Sequence, residues 1–260
     1  MRLGKTSRRA FLGCLCCAGA AGVAMAGETQ DPTALELGTV NMHKLAPGVW
    51  VAPMAPGVWL HSTTKRLDDG TWYPVNGLMV ERPGGAIMID TANNAAQAKI
   101  LAAWWRGRGQ TIRLAVATHF HSDRTGGIGG LREMGVRTVA LPLTVELARA
   151  HGMEVPEAAM FAGDVLALDA GVEVFAPGAG HTRDNVVVWV RGPRVLFGGC
   201  LIKSVTAPDL GWVADAVMGD WAGSVRRVRG RYPEAAVVVP GHGTIRGDGI
   251  GATLGLLGKA

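Results

Sequence analysis

Two histidines, a carboxylate and a guanidinium stand together in Thr118-His119-Phe120-His121-Ser122-Asp123-Arg124. Imidazole and carboxylate are donors that zinc accepts readily. The run follows the apolar Leu114-Ala115-Val116-Ala117 and so reads as the end of a buried strand. On an extended segment residues i and i+2 project to the same side. His119 and His121 would then face one metal, and Asp123, continuing the alternation, could serve a second beside it. Paired histidines also occur on solvated loops, but the apolar run before this pair argues for a site.

Three further places carry donors of the same kinds. His181 follows the Gly-rich Pro177-Gly178-Ala179-Gly180, Cys200 follows Phe197-Gly198-Gly199, and His242 lies in Pro240-Gly241-His242-Gly243. Each comes where an apolar stretch runs into small residues, so a side chain there can turn into a cleft. Alone, any of them is more often a turn histidine or a buried thiol. Together the four places offer six groups, namely imidazole, carboxylate and thiolate, the set that zinc prefers.

The cysteines sharpen this. Cys14, Cys16 and Cys17 fall inside an N-terminal stretch that reads as an export signal: Arg2, Lys5, Arg8 and Arg9, then a Gly/Ala-rich apolar run ending at Ala24-Met25-Ala26. Such a stretch is removed after an A-x-A-type site, so residues 1–26 should leave and the mature domain should span 27–260. The run is too short and glycine-rich for a comfortable membrane span. Ser7-Arg8-Arg9-Ala10-Phe11-Leu12 resembles a twin-arginine signal, which would deliver a folded chain to the periplasm. A lipid anchor on Cys14 is the weaker alternative, since little apolar sequence precedes it. After cleavage only Cys200 remains, so no internal disulfide can form. A lone thiol is a buried hydrophobe or a ligand, and its neighbours favour the ligand.

Charge narrows the partners. The chain has a net charge of +5, but four bases and no acid lie in residues 1–26, leaving 22 bases against 21 acids. A nearly neutral body gives no electrostatic reason to bind nucleic acid. Small molecules are the expected partners, and a monomer is the expected state.

The elements that position these groups alternate between strand and helix. Residues 77–81 and 86–89 flank Pro83-Gly84-Gly85 as a hairpin; 94–106 is Ala-rich helix; 112–117 and 138–141 are strands, with helices at 125–133 and 143–150. Four short strands follow at 165–168, 172–175, 186–190 and 195–197, then a helix at 221–231 and a strand at 236–239. The unbroken Val186-Val187-Val188 and Val237-Val238-Val239 suit strands buried on both faces. The Ala-Pro-Gly-Val-Trp pentad at 46–50 recurs at 55–59; one copy should form an edge strand and the other an insertion. Residues 27–44 should be a polar arm, and 61–75 a polar loop carrying Trp72 and Tyr73. His43 and His61 then lie on loops and His151 at a helix end, none of them a ligand. Two sheets with helices outside them satisfy this order.

The arrangement resembles the class B, or metallo-, β-lactamases, in the subclass whose second zinc uses aspartate, cysteine and histidine. The resemblance runs through residues 45–245 and includes Asn76-Gly77-Leu78, Met88-Ile89-Asp90-Thr91, the His119/His121/Asp123 run, Gly180-His181-Thr182, Asn185-Val186-Val187, Gly198-Gly199-Cys200-Leu201-Ile202-Lys203 and Gly241-His242-Gly243. It implies an α/β fold, an αβ/βα four-layer sandwich, with two zinc ions at one edge. His119, His121 and His181 would hold the first zinc, and Asp123, Cys200 and His242 the second. The activity implied is opening of the β-lactam amide in penicillins, cephalosporins and carbapenems.

The resemblance also implies roles around the metals. Lys203 would bind the substrate carboxylate, Asp90 would support a ligating histidine, and Trp72 with Tyr73 would wall the site. Nine residues after the lysine, relatives often place an asparagine that assists the oxyanion; this chain has Trp212, so that role is not carried over. Trp212 would instead offer an apolar surface to substrate. Many thioesterases, lactonases and nucleases of the wider superfamily continue the first motif with another histidine, where this chain has Arg124. Two alternatives stay open: a lactonase-like hydrolase of the same fold, and a non-catalytic zinc-binding protein of the periplasm.

Overall fold

The computed structural model describes residues 42–66, 70 and 72–260. The expected export signal, the alternative of an anchor at Cys14 and nearly all of the expected polar arm lie outside these residues. No helix among the described residues is long and apolar enough to cross a membrane.

The repeated pentad opens the described chain. Its two copies do the same work: each ends one strand and begins the next around a Pro-Gly turn, joining β1 (His43–Ala46) to β2 (Val49–Ala55) and β2 to β3 (Val58–Arg66). Gly48 and Gly57 sit at φ 70° and 71°, a left-handed conformation that glycine adopts without a Cβ penalty. The expected insertion is therefore a second hairpin turn. The expected loop at 61–75 is also corrected, because β3 pairs antiparallel with β4 (Trp72–Val80) along Val58↔Val80 to Arg66↔Trp72. Its polar stretch His61-Ser62-Thr63-Thr64 looks like loop, yet all four side chains are buried. Partners make this tolerable: Ser62 Oγ donates to Asn76, Asn93 donates to Thr63 Oγ1, and Gln97 Nε2 donates to the Thr64 carbonyl.

The first sheet continues through β5 (Ala86–Ile89), β6 (Ile112–Val116), β7 (Arg137–Ala140) and β8 (Glu157–Ala158), eight strands among the described residues, in sequence order. The second runs β13 (Val237–Pro240), β12 (Val195–Gly199), β11 (Val187–Val190), β10 (Val172–Phe175), β9 (Val165–Asp169). Period-two alternation sorts their side chains. Leu60, Leu78, Ile87 and Ile89 of the first sheet meet Val174, Val188, Phe197 and Val239 of the second in one buried cluster. The intervening Met79, Met88 and Ala115 face outward onto Ala98, Leu101 and Trp105 of helix α1 (Ala95–Gly107). On the far side Val187, Trp189 and Leu196 meet Trp221, Val225 and Val228 of helix α5 (Met218–Arg231) and Ile250 of α6 (Gly249–Leu257). Each large side chain so buried contributes about 1.5–3 kcal/mol, which drives the layers together as an αβ/βα sandwich.

Three shorter helices complete it: α2 (Ser122–Thr125), α3 (Ile128–Glu133) and α4 (Pro142–Ala150). The single helix expected at 125–133 is broken at Gly126-Gly127. Beyond residue 245, where the sequence patterning marks no element, lies α6, capped by Asp248, whose carboxylate accepts from the Gly251 amide.

Candidate metal centre

All the donors arise where strands end. His119 and His121 occupy the bend after β6, Asp123 lies in α2, His181 follows β10, Cys200 follows β12, and His242 follows β13. The backbone through 118–121 bends instead of continuing as strand. Asp123 therefore reaches its place from a helical turn capped at His121, not by strand alternation.

Three imidazoles meet first. His121 Nδ1 is 3.2 Å from His119 Nε2 and 3.2 Å from His181 Nε2, and the ligand atoms of the trio all lie within 4.8 Å of one another. His121 Nε2–H donates to Asp215 Oδ2 at 3.0 Å, which fixes the tautomer and leaves Nδ1 with its lone pair toward the other two. Burial first, then mutual repulsion and nearby cations, hold His119 well below its ordinary pKa and His181 at about 2. Neutral imidazole is the form that ligates metal.

A second set adjoins it. His242 Nε2 lies 3.1 Å from Cys200 Sγ and 3.1 Å from Asp123 Oδ2, with Cys200 Sγ 3.7 Å from that same oxygen. His242 Nδ1–H donates to the Pro74 carbonyl at 2.7 Å, turning Nε2 inward. Ligand atoms of His119, Asp123 and Cys200 also fall within 4.8 Å of one another, so the two sets are neighbours.

Arg124 organises the second set from below. It is fully buried: Nη2 donates to Cys200 Sγ at 3.0 Å and to the Gly241 carbonyl at 3.0 Å, and lies 3.0 Å from Asp123 Oδ2. Nη1 donates to Asp90 Oδ2 at 3.0 Å and to the Asn76 carbonyl at 2.8 Å. A Cβ on Gly241 would stand 2.7 Å from Arg124 Nη2, so glycine is needed for this approach. Burial opposes ionisation of Asp123, but the adjacent guanidinium holds its carboxyl well below the usual range. Asp90 accepts from the Thr118 amide and hydroxyl as well as from Arg124. It thus supports Arg124 and the start of the histidine bend, not a ligating imidazole as expected. Asp215 does that instead, and nothing local in the sequence singled it out.

The remaining expected residues surround this cluster. Lys203 is buried, with Nζ 5.2 Å from the Trp221 ring centroid, and its charge helps to depress His181. Tyr73 stacks on His242 at 4.3 Å and brings Oη to 3.0 Å from His242 Nε2. Trp72 is half-buried opposite Arg66 in the β3–β4 pair. Trp212 is 65% exposed on the loop after Lys203, and its indole N–H donates to Asp215 Oδ2 at 3.1 Å. Of the other histidines, His43 is exposed in β1, His151 ends α4, and His61 is buried in β3, where burial lowers it to about 4.

The donor set fits metal ions. Three imidazoles stand beside a carboxylate–thiol–imidazole set, and Asp123 Oδ1 is buried without a hydrogen-bond partner. An acceptor left bare beside ligand atoms is what a cation would satisfy. The sequence model of the metallo-β-lactamase superfamily matches residues 70–242.

The chain belongs to that superfamily. It is 35% identical over 222 residues to a type 2 metallo-β-lactamase of Bacillus cereus, covering 83% of this chain and 81% of the relative. Among solved structures, a metallo-β-lactamase from Erythrobacter litoralis superposes with TM-score 0.79 at 32% identity, over 85% of this chain and all of that one. Another from Pseudomonas aeruginosa, determined in a mono-zinc form, gives 0.78 at 33% identity, over 81% and 95%. The superfamily fold, a metal-dependent hydrolase site and the chain's own donors agree.

Proposed function

We propose that this chain hydrolyses the amide bond of β-lactams, penicillins, cephalosporins and carbapenems among them, with two zinc ions. One observation carries the reading: the three-histidine set and the Asp123–Cys200–His242 set adjoin, with His119 Nε2 3.9 Å from Asp123 Oδ1. His119, His121 and His181 would hold one ion and Asp123, Cys200 and His242 the other. When bound, such a pair makes water nucleophilic near pH 7 and stabilises charge on the breaking amide.

The chain's own residues do the rest. Asp215 and the Pro74 carbonyl hold the outer ring nitrogens of His121 and His242, so that Nδ1 of His121 and Nε2 of His242 face the other donors. Arg124 keeps the Asp123 carboxylate ionised, the form that would hold a metal ion, and Asp123 Oδ1 is left bare for it. Lys203 supplies a cation for the substrate carboxylate, and desolvation makes that pairing stronger than in open water. Tyr73 and Trp212 offer aromatic surface at the rim.

Hydrolysis by the purified chain of a penicillin, a cephalosporin and a carbapenem, set beside a simple lactone, tests the reading. Turnover of the β-lactams with little on the lactone is expected. Turnover of the lactone alone would favour the lactonase-like alternative, and zinc binding without turnover the non-catalytic one. The same reading places the protein in the periplasm as a monomeric domain of residues 27–260, supported by the twin-arginine pattern and Ala24-Met25-Ala26. Protein recovered from that compartment should then begin at Gly27.

A further inference from the structure

The loop from Lys203 to Val217 returns to the cleft at one carboxylate. Asp215 Oδ2 accepts from His121 Nε2–H at 3.0 Å and from the Trp212 indole N–H at 3.1 Å. Both donors use the same oxygen. The loop backbone is pinned nearby, where the Val217 amide donates to the Gly180 carbonyl beside His181. The Asp215 side chain is itself 31% exposed, with water available as a competitor for its oxygens. A carboxylate held by His121 alone could swing away and leave the imidazole free to turn.

We propose that Trp212 is a positioning residue for the three-histidine metal site: its indole N–H holds Asp215 in the orientation that holds His121. The indole N–H only donates, so it cannot compete with Asp215 for the proton on His121 Nε2. The contact spans three residues of one loop, so the fold of that loop sets it directly. The side chain therefore does two things at once. Its ring face remains exposed toward the rim of the cleft, and its N–H is committed inward. An asparagine in its place is too short to do both.

This inference rests on the metal reading, and the experiment separates the two. The chain is stripped of metal and titrated with zinc against a chromogenic chelator, for the wild type, Trp212→Phe, Asp215→Ala and the double variant. Cobalt(II) then distinguishes the sites, since only the one holding Cys200 gives a thiolate-to-metal charge-transfer band. Asp215→Ala should weaken the three-histidine site about ten- to a hundredfold, the usual cost of removing a partner of a ligating histidine. Trp212→Phe should weaken it about three- to tenfold, near or below the lower end of that range, and should change nothing further once Asp215 is alanine. Loss of the native circular dichroism would mark an unfolded variant, and Asp215→Leu, of similar size but with no acceptor, then takes the place of Asp215→Ala in the cycle. Unchanged affinity in Trp212→Phe, or an equal loss with and without Asp215, would overturn the proposal. A wild type that takes up no zinc would instead overturn the metal reading, and this inference with it.

Discussion

Arg124 Nη2 lies 3.0 Å from Cys200 Sγ, although 76 residues separate the two in sequence. The contact is the centre of a buried network. The same guanidinium touches Asp90, Asp123, the Asn76 carbonyl and the Gly241 carbonyl, tying β4 and the ends of β12 and β13 to the histidine bend. Desolvation opposes the charge on Arg124, but its anionic neighbours raise its pKa well above the usual value.

Removing that charge should be costly. Arg124→Ala would leave Asp90 and Asp123 buried without their counter-ion, a loss of about 3–5 kcal/mol. Arg124→Lys should lose less, keeping charge while giving up the planar fork. Urea unfolding at neutral pH measures both. An alanine variant within about 0.5 kcal/mol of wild type, as for an ordinary surface change, would show that the network is incidental to stability.

Cys200→Ser should separate the metals, since a serine hydroxyl replaces a thiol poorly as a zinc ligand. Metal analysis of the purified protein should fall from about two zinc ions toward one, the occupancy of a paired site with one member lost. Unchanged stoichiometry and turnover would return Cys200 to the role of a small buried hydrophobe.

Lys203→Ala should act on binding more than on chemistry. A hydrogen bond to a charged group contributes about 1.5–3 kcal/mol, so KM for carboxylate-bearing β-lactams should rise about ten- to a hundredfold with a smaller change in kcat. Steady-state kinetics decide it; an unchanged KM would remove Lys203 from the substrate site.

His61 predicts part of the acid sensitivity. Its Nε2–H faces the Ile89 carbonyl at 3.1 Å, and burial lowers its pKa from 6.5 to about 4. Between those values the unfolded chain binds a proton there that the folded chain does not, so this residue's contribution is complete above pH 6.5 and is lost as pH falls toward 4. The full shift corresponds to about 3 kcal/mol. His61→Leu should flatten the slope of unfolding free energy between pH 7 and pH 4, whatever it does to stability at pH 7. An identical slope would assign the acid sensitivity elsewhere.

The six candidate donors were legible in the sequence because each is chemically distinctive and follows an apolar run ending in a bend or small residues. Most strand positions and the buried run Val186-Val187-Val188 were legible for the same reason, since apolar patterning records burial; of Val237-Val238-Val239 only Val239 is fully buried, because β13 stands at the edge of its sheet. Arg124 stood in plain view, but its reach to Asn76, Cys200 and Gly241 depends on segments 48 to 117 residues away that only the folded sheets bring together. Asp215 was invisible because a half-exposed loop aspartate carries no local sign of the histidine it faces. The buried polar strand around His61 was read as loop because Asn76, Asn93 and Gln97, which satisfy it, lie outside it.

Whether paired metals at this site open β-lactams is decided by a zinc titration of activity. The chain is freed of metal with a chelator, then given zinc in steps while hydrolysis of a carbapenem and a penicillin is followed. The account predicts no turnover without metal, and turnover that rises with added zinc and levels off at about two ions per chain. Full turnover by protein shown to be metal-free would contradict it.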